Sequence, residues 1–368
     1  MATPVRAAVL TGVEEKFRFE DLILDDIRPD EVLIKIAATG LCHTDLAVQH
    51  GDIPGPFPFV LGHEGSGVVE QVGDHVTGLA VGDAVTLSFA SCRDCRNCLA
   101  GHPTNCLNLY PLNFFGVRGD GSTTFSRPDG GAVHGSFFGQ SSFATYAITS
   151  ATNVVKLPDG APVELVGPLG CGFQTGAGTI LNTLKVQPGS TVVVTGAGAV
   201  GLSAIMAAKI AAATTIVAVD ILDERLAIAR SLGATHTINS REVDAIARIM
   251  EIIPGGADYG VDTTGVATVI ESLLQATALG SRIALVGVPR PGQTVNLGLI
   301  SASGKTIVGA MEGDCVPQTF IPQLLALHRA GQFPFDELIT SYSFEDIEQA
   351  IADTASGKAV KAVLVMPD

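Results

Sequence analysis

Positive charge is scarce in this chain. Its 368 residues carry 22 Lys and Arg against 37 Asp and Glu, a net charge of −15. A surface this acidic repels phosphate backbones and anionic lipid, so neither a nucleic-acid nor a membrane partner is expected. Charged residues of both signs make up only 16% of the chain and apolar ones 46%, which excludes a disordered polypeptide. The opening MATPVRAAVL lacks a basic stretch followed by a long apolar one. No signal peptide is therefore expected, and a cytoplasmic location is. Long repeats and low-complexity linkers are missing too, and the length suggests two domains, or three.

An even cysteine count is also absent. Seven cysteines stand at 42, 92, 95, 98, 106, 171 and 315, which argues against a disulfide framework. Four form one cluster, C-x2-C-x2-C-x7-C, over Cys92, Cys95, Cys98 and Cys106. Thiolates this close repel one another unless a cation lies between them, and a closed four-sulfur zinc site of the structural kind is expected. An iron–sulfur cluster is the rival, but its bacterial run ends C-x3-C-P, whereas here the last gap is seven and Leu107 follows. A metal-free loop is the third reading. Cys42 in GLCHTD, His63 in VLGHEGSG and Cys171 in GPLGCGFQ are weak signals one by one. A lone Cys is more often a small buried hydrophobe. Together, two Cys and one His make the open three-ligand set of a catalytic zinc. Cys315 is expected to be a buried thiol.

What the chain has in excess is glycine, 42 residues against a usual ~7%. From Thr191 to Ala208 there is no charge, long enough to span a bilayer. Gly196, Gly198 and Gly201 fall inside that stretch, so a buried strand, a tight turn and a helix are expected instead. The G-x-G-x-x-G of TVVVTGAGAVG follows a β-branched run and precedes LSAIMAAKIAAA. It therefore reads as a dinucleotide fingerprint, with the pyrophosphate at the helix N-terminus. Asp220 ends the next β run, 19 residues beyond Gly201, where an acid accepts from the adenosine ribose and repels a 2′-phosphate. That favours NAD over NADP, with Arg225 as a nearby residue able to tolerate the phosphate. Helices are expected over 223–234, 243–252, 269–279, 316–331 and from 344, the last with a Ser343–Asp346 capping box. Strands are expected at 236–239, within 257–265 and over 281–289. Such alternation implies a doubly wound parallel sheet, whereas the texture before residue 160 is β-rich and barrel-like.

At this point the chain resembles the zinc-dependent medium-chain alcohol dehydrogenases along its whole length. The residues that carry the likeness are GLCHTD at 40–45, GHEGSGVVEQVG at 62–73, the four-Cys lobe, the Cys171 segment and GAGAVG at 196–201. Two Cys and one His is the ligand set already known for alcohol dehydrogenase. GPLGCGFQTGAG and EGDCVPQTFIPQLL look most like the aryl- (benzyl-) alcohol members. The resemblance implies an α/β fold, a Rossmann cofactor domain at 173–311 and a β-rich GroES-like catalytic domain at 1–172. The zinc lobe would span 90–108, and residues 312–368 would return to the catalytic domain.

It also implies two Zn2+ per chain, one on Cys42, His63 and Cys171 and one on Cys92, Cys95, Cys98 and Cys106. Glu64 would sit behind the catalytic zinc. Asp45 would orient His63, and Thr44 would take the substrate proton. His43 and Lys361 would face the pyrophosphate; Thr175, Val200 and Val288 would meet the cofactor; Phe89 and Phe138 would wall the substrate pocket. A solvated or paired surface role is the alternative for Glu64, Asp45 and His43, and ordinary core for the two Phe. One departure is Ala47, where many members carry a relay His; His50 lies near in sequence. The implied reaction is reversible hydride transfer between a primary aromatic or allylic alcohol and NAD. The alternatives are terpenoid or short aliphatic alcohols, the glutathione adduct of formaldehyde, or a non-enzymic NAD-binding scaffold. A homodimer or homotetramer is implied.

Overall fold

The computed structural model describes residues 3–367, and its chain divides into two compact units. The first comprises the residues through Cys171 together with Val316–Ala326 and those from Asp336 on; the second comprises Gly172–Cys315 and Leu327–Phe335.

The first unit is built on two sheets. In the larger, the central strand Glu31–Gly40 pairs with Gly65–Val72, Tyr146–Ser150 and Lys361–Val365, all antiparallel. The run Val32–Ile36 reads from sequence as an alternating strand, yet only Lys35 of it is exposed. Neighbours on every side bury the rest. In the smaller sheet, Thr3–Leu10 pairs with Arg18–Leu24 and with the short strand Phe59–Val60. Both sheets feed the site, because Cys42 follows the central strand and His63 follows Phe59–Val60.

The second unit holds six parallel strands among the described residues. In chain order they are Thr191–Thr195, Thr215–Asp220, His236–Asn239, Ala257–Asp262, Thr277–Leu285 and Thr306–Gly309. Their spatial order is 3-2-1-4-5-6, the doubly wound dinucleotide-binding order. Val192, Val193 and Val194 are buried, as β-branched residues are in a strand covered on both faces. The charge-free stretch resolves into strand Thr191–Thr195 and the 12-residue helix Ala199–Ile210. No described helix is long and apolar enough to cross a membrane.

Two local expectations are corrected. The helix expected through Leu279 stops at Gln275, and Thr277 already begins a strand. Pairing of Thr277 with Ala257 across the sheet outweighs the local helical pattern. Ser343 forms no side-chain cap; a short 3₁₀ turn, Phe344–Asp346, intervenes, and the α-helix begins at Ile347.

Candidate active site

Within the first unit, donor atoms of Cys42, His63, Glu64 and Cys171 all lie within 4.8 Å of one another. Each comes from a different stretch of chain except the adjacent His63 and Glu64. His63 and Glu64 are fully buried and Cys171 nearly so. Asp45, in the first turn of helix His43–Gln49, ties these stretches together. Its Oδ1 accepts from Gly62 N–H and lies against His63 Nδ1, both at 3.0 Å; its Oδ2 accepts from Cys42 N–H at 3.0 Å. That contact leaves His63 Nε2 facing the cluster, buried and without a hydrogen-bond partner among the described residues.

The electrostatics also fit a cation. A hydrogen bond from Cys171 is the largest cause holding the Cys42 thiol well below its usual pKa, with His63 and Lys361 adding positive charge nearby. Burial opposes protonation of His63, but the charges of Asp45 and Cys42 outweigh it and hold the imidazole well above its usual value. Two thiols and a ring nitrogen within 4.8 Å of one another are the donor set of a zinc site, and the negative charge around His63 that favours a proton favours a metal cation in its place. Burial raises the Glu64 carboxyl, and Lys361 opposes that rise. Gly40 provides the room, because a Cβ there would run into Glu64 Oε2.

Lys361 pairs with Glu64 inside the first unit. It is buried, 2.9 Å from both Glu64 oxygens and 3.1 Å from Leu41 O. Burial opposes its charge, yet Glu64 and the sulfurs of Cys42 and Cys171 keep its pKa above the usual lysine range.

Thr44 is half-buried, its Oγ1 3.8 Å from Cys42 Sγ, and His43 is exposed. Ala47 is buried. His50 caps the far end of the same helix with its ring against Glu14 at 3.2 Å, away from Thr44. Phe89 and Phe138 are buried, and the Phe138 ring stacks on His63. Gln140 escaped the sequence reading. Its side chain donates to His63 O at 2.9 Å and accepts from Gly65 N–H at 3.0 Å, clipping the backbone on both sides of Glu64. A single Gln in a loop carries no local signal for that role.

The four remaining sulfurs, of Cys92, Cys95, Cys98 and Cys106, also lie within 4.8 Å of one another. Cys92 and Cys106 stand 3.4 Å apart, far beyond a disulfide bond, and Cys92 and Cys98 4.0 Å. Tetrahedral zinc at 2.3 Å from each sulfur sets them about 3.8 Å apart. Backbone N–H groups of Cys98 and Leu107 bring the Cys95 thiol down to about 6, and burial pushes Cys92 up to about 12.

In the second unit, Gly196 takes φ +88° and its N–H donates to Val219 O at 2.8 Å. A Cβ at Gly201 would collide with Gly196 O, whereas one at Gly198 would meet nothing within 4 Å. Gly198 caps the helix without a side-chain bond, so the helix N-terminus opens onto space that a phosphate group can enter. Asp220 Oδ2 accepts from Ala197 N–H at 2.6 Å and Oδ1 from Ile221 and Leu222, joining the acid to the turn. Val200 is half-buried and Val288 exposed; Thr175 is buried. Arg225 is buried, which lowers its pKa against the opposing charge of Asp220.

Fold and site together define a zinc-binding, dinucleotide-type dehydrogenase. Comparison with known proteins agrees. Residues 28–159 match the alcohol dehydrogenase GroES-like domain family and residues 199–330 the zinc-binding dehydrogenase family. Geraniol dehydrogenase of Castellaniella defragrans is 46% identical over 364 residues, covering 98% of this chain and 97% of that one. A zinc-binding-domain alcohol dehydrogenase protein of Burkholderia ambifaria superposes with a TM-score of 0.97 at 48% identity, over all of both chains. Benzyl alcohol dehydrogenase of Acinetobacter calcoaceticus does so at 0.95 and 43%, over 99% of this chain and 100% of that one. The chain belongs to the zinc-dependent medium-chain alcohol dehydrogenases, and it is an enzyme.

Proposed function

We propose that this enzyme moves hydride reversibly between a primary aromatic or allylic alcohol and NAD, giving the aldehyde. The observation that carries this reading is the meeting of Cys42, His63 and Cys171 around an inward-facing, unpartnered Nε2. Zinc on those three residues would supply Lewis acidity toward an alcohol oxygen, NAD+ would supply the hydride acceptor, and zinc on the four-Cys lobe would be structural.

The chain's own residues do the rest. Asp45 holds the His63 ring by its Nδ1. The Glu64–Lys361 pair keeps a cation and an anion in balance behind the cluster. Thr44 Oγ1 is the atom we assign to carry the alcohol proton away. His50 takes no part, being bound to Glu14. Asp220 supports NAD over NADP, since its carboxylate repels a 2′-phosphate. Phe89 and Phe138 offer an apolar, water-excluding surface that suits a conjugated alcohol. The relatives support that choice, one acting on geraniol, an allylic alcohol, and one on benzyl alcohol.

Steady-state rates of the zinc-loaded enzyme on benzyl alcohol, geraniol, ethanol and the glutathione adduct of formaldehyde, each with NAD+ and NADP+, test this. The highest kcat/KM is expected for benzyl alcohol or geraniol with NAD+. A preference for ethanol or the adduct, or for NADP+, would overturn the specificity. No turnover of any alcohol would mark a binding scaffold.

A further inference from the structure

The strand order of the second unit reverses between the first strand, Thr191–Thr195, and the fourth, Ala257–Asp262, which pair side by side. In a doubly wound sheet a ligand binds outside the carboxyl ends of the strands at that point. The fourth strand ends there on Asp262, and this carboxyl side chain is fully buried.

Asp262 holds three strand ends together. Its Oδ1 accepts from Thr195 Oγ1, at the end of the first strand, at 2.8 Å and from Thr264 Oγ1 at 2.7 Å. Its Oδ2 accepts from Gly265 N–H at 2.9 Å. Its carbonyl oxygen accepts from Val286 N–H at 2.8 Å and Gly287 N–H at 3.2 Å, just past the fifth strand. Glycine lets these loops close on each other. A Cβ at Gly287 would run into Gly265 N, and one at Gly265, whose φ is +66°, would meet Val288 O. Removing a buried group with this many partners leaves donors unsatisfied, so the loops must shift.

The glycine turn has supports of its own. Thr263 Oγ1 lies 2.9 Å from Thr195 O and 3.0 Å from Gly196 O. From the second strand, Val219 O accepts from Gly196 N–H and Asp220 accepts from Ala197 N–H. The turn and Asp220 mark the adenosine and pyrophosphate half of a dinucleotide site, which leaves the other half to the fourth, fifth and sixth strands. Asp262 is the residue whose side chain spans from one half to the other.

We infer that Asp262 is a positioning residue for the dinucleotide, setting the nicotinamide-side loops, 264–265 and 286–288, in register with the phosphate turn. The inference rests on the reading that the cofactor is NAD. The zinc-loaded wild type and Asp262→Ala are titrated with NADH by its fluorescence. ADP-ribose, which keeps the adenosine and pyrophosphate but lacks the nicotinamide, is titrated by competition. Asp262→Ala is expected to bind NADH about tenfold more weakly while ADP-ribose stays within about twofold. A structural loss alone would move both together. Equal changes, or no change, overturn the inference. Asp262→Asn is expected to rescue NADH binding to within about threefold, because a turned amide donates to both threonine hydroxyls and accepts from Gly265 N–H. A loss as large as that of the Ala variant overturns the inference. If Asp262→Ala does not fold, Thr195→Val decides, since it keeps the side-chain shape and removes only the bond to the first strand. NADH about threefold weaker with ADP-ribose unchanged supports the inference, and unchanged NADH binding overturns it. A wild type that binds neither ligand overturns the NAD reading instead.

Discussion

Phe138 lies face to face with His63, the ring centroids 4.4 Å apart and the planes 23° from parallel. The Phe138 backbone is left-handed at φ +50°, as are its neighbours Ser136 and Ser141 at +56°. Ser141 stabilises that loop by donating to Val60 O at 2.6 Å and accepting from Phe137 N–H at 2.9 Å. Phe137 meets the imidazole edge-on at 5.4 Å. With Asp45 on Nδ1, the ring is fixed on three sides and only Nε2 remains to act.

Phe138→Ala is therefore expected to weaken both fold and metal site. Truncating a buried Phe costs about 3–5 kcal/mol, of which an aromatic pair is roughly 0.5–1.5. Urea denaturation reads the first effect. Zinc retained against a chelator reads the second. A variant as stable and as zinc-tight as the parent would refute the role.

Asp45→Asn keeps the shape but not the charge, and replaces one acceptor oxygen by a donor NH2. It can no longer accept from Cys42, Gly62 and His63 together. Loss of such an orienting carboxylate typically costs 10–100-fold in metal affinity or activity. The same range is expected here, in kcat/KM on benzyl alcohol and in zinc occupancy.

Lys361→Met leaves the Glu64 carboxylate buried without its cation. Removing one partner of a buried pair destabilises by about 3–5 kcal/mol, whereas removing both can be nearly neutral. Lys361→Met/Glu64→Leu is thus expected to melt closer to the wild type than Lys361→Met does. A double variant less stable than the single one would show that the pair is not the source of the loss.

That pair also marks the limit of what could be read before folding. The glycine turn, the four-cysteine lobe and the alternating β and α segments depend on neighbours along the chain, so spacing revealed them. Glu64 and Lys361 stand 297 positions apart, and nothing in either segment announces the other. Resemblance assigned Lys361 to a phosphate, and only the fold sets it against Glu64. Gln140 was invisible for the same reason, since its role comes from a contact 77 residues away. Ser343 erred the other way: its local pattern was right for a cap, but the chain took a 3₁₀ turn first.

Tyr342 and Asp353 give a pH dependence with two opposite signs. The Tyr342 hydroxyl donates to Asp353 Oδ2 at 2.9 Å, and burial beside that carboxylate pushes the phenol up to about 12, against about 10 when unfolded. A raised folded value stabilises fully below the unfolded one and is lost as pH climbs to the folded one. The stability gap between wild type and Tyr342→Phe should hold below pH ~10 and shrink toward pH ~12. Asp353, held below the usual carboxylate range by Lys358 and Tyr342, does the reverse. Its contribution is present above about pH 4 and fades as pH falls through its lowered value. Urea midpoints across pH for the wild type, Tyr342→Phe and Asp353→Asn would show both trends, and parallel curves would contradict them.

Gly198 and Gly201 separate ligand binding from folding. A Cβ at Gly201 collides with the backbone oxygen of Gly196, so Gly201→Ala must push the helix off the strand and is expected to lower stability with or without nucleotide. A Cβ at Gly198 meets nothing, and its φ of −77° suits alanine. Only the weaker capping of alanine is felt, about 1 kcal/mol at most. If a pyrophosphate approaches this backbone closely, the added methyl still occupies its space. Gly198→Ala should then melt near the wild type yet bind NADH at least about tenfold more weakly, an energy of roughly 1.4 kcal/mol. Thermal melts and NADH titrations on the two variants give the comparison. A Gly198→Ala protein that binds NADH as tightly as the parent would move the phosphates away from this turn.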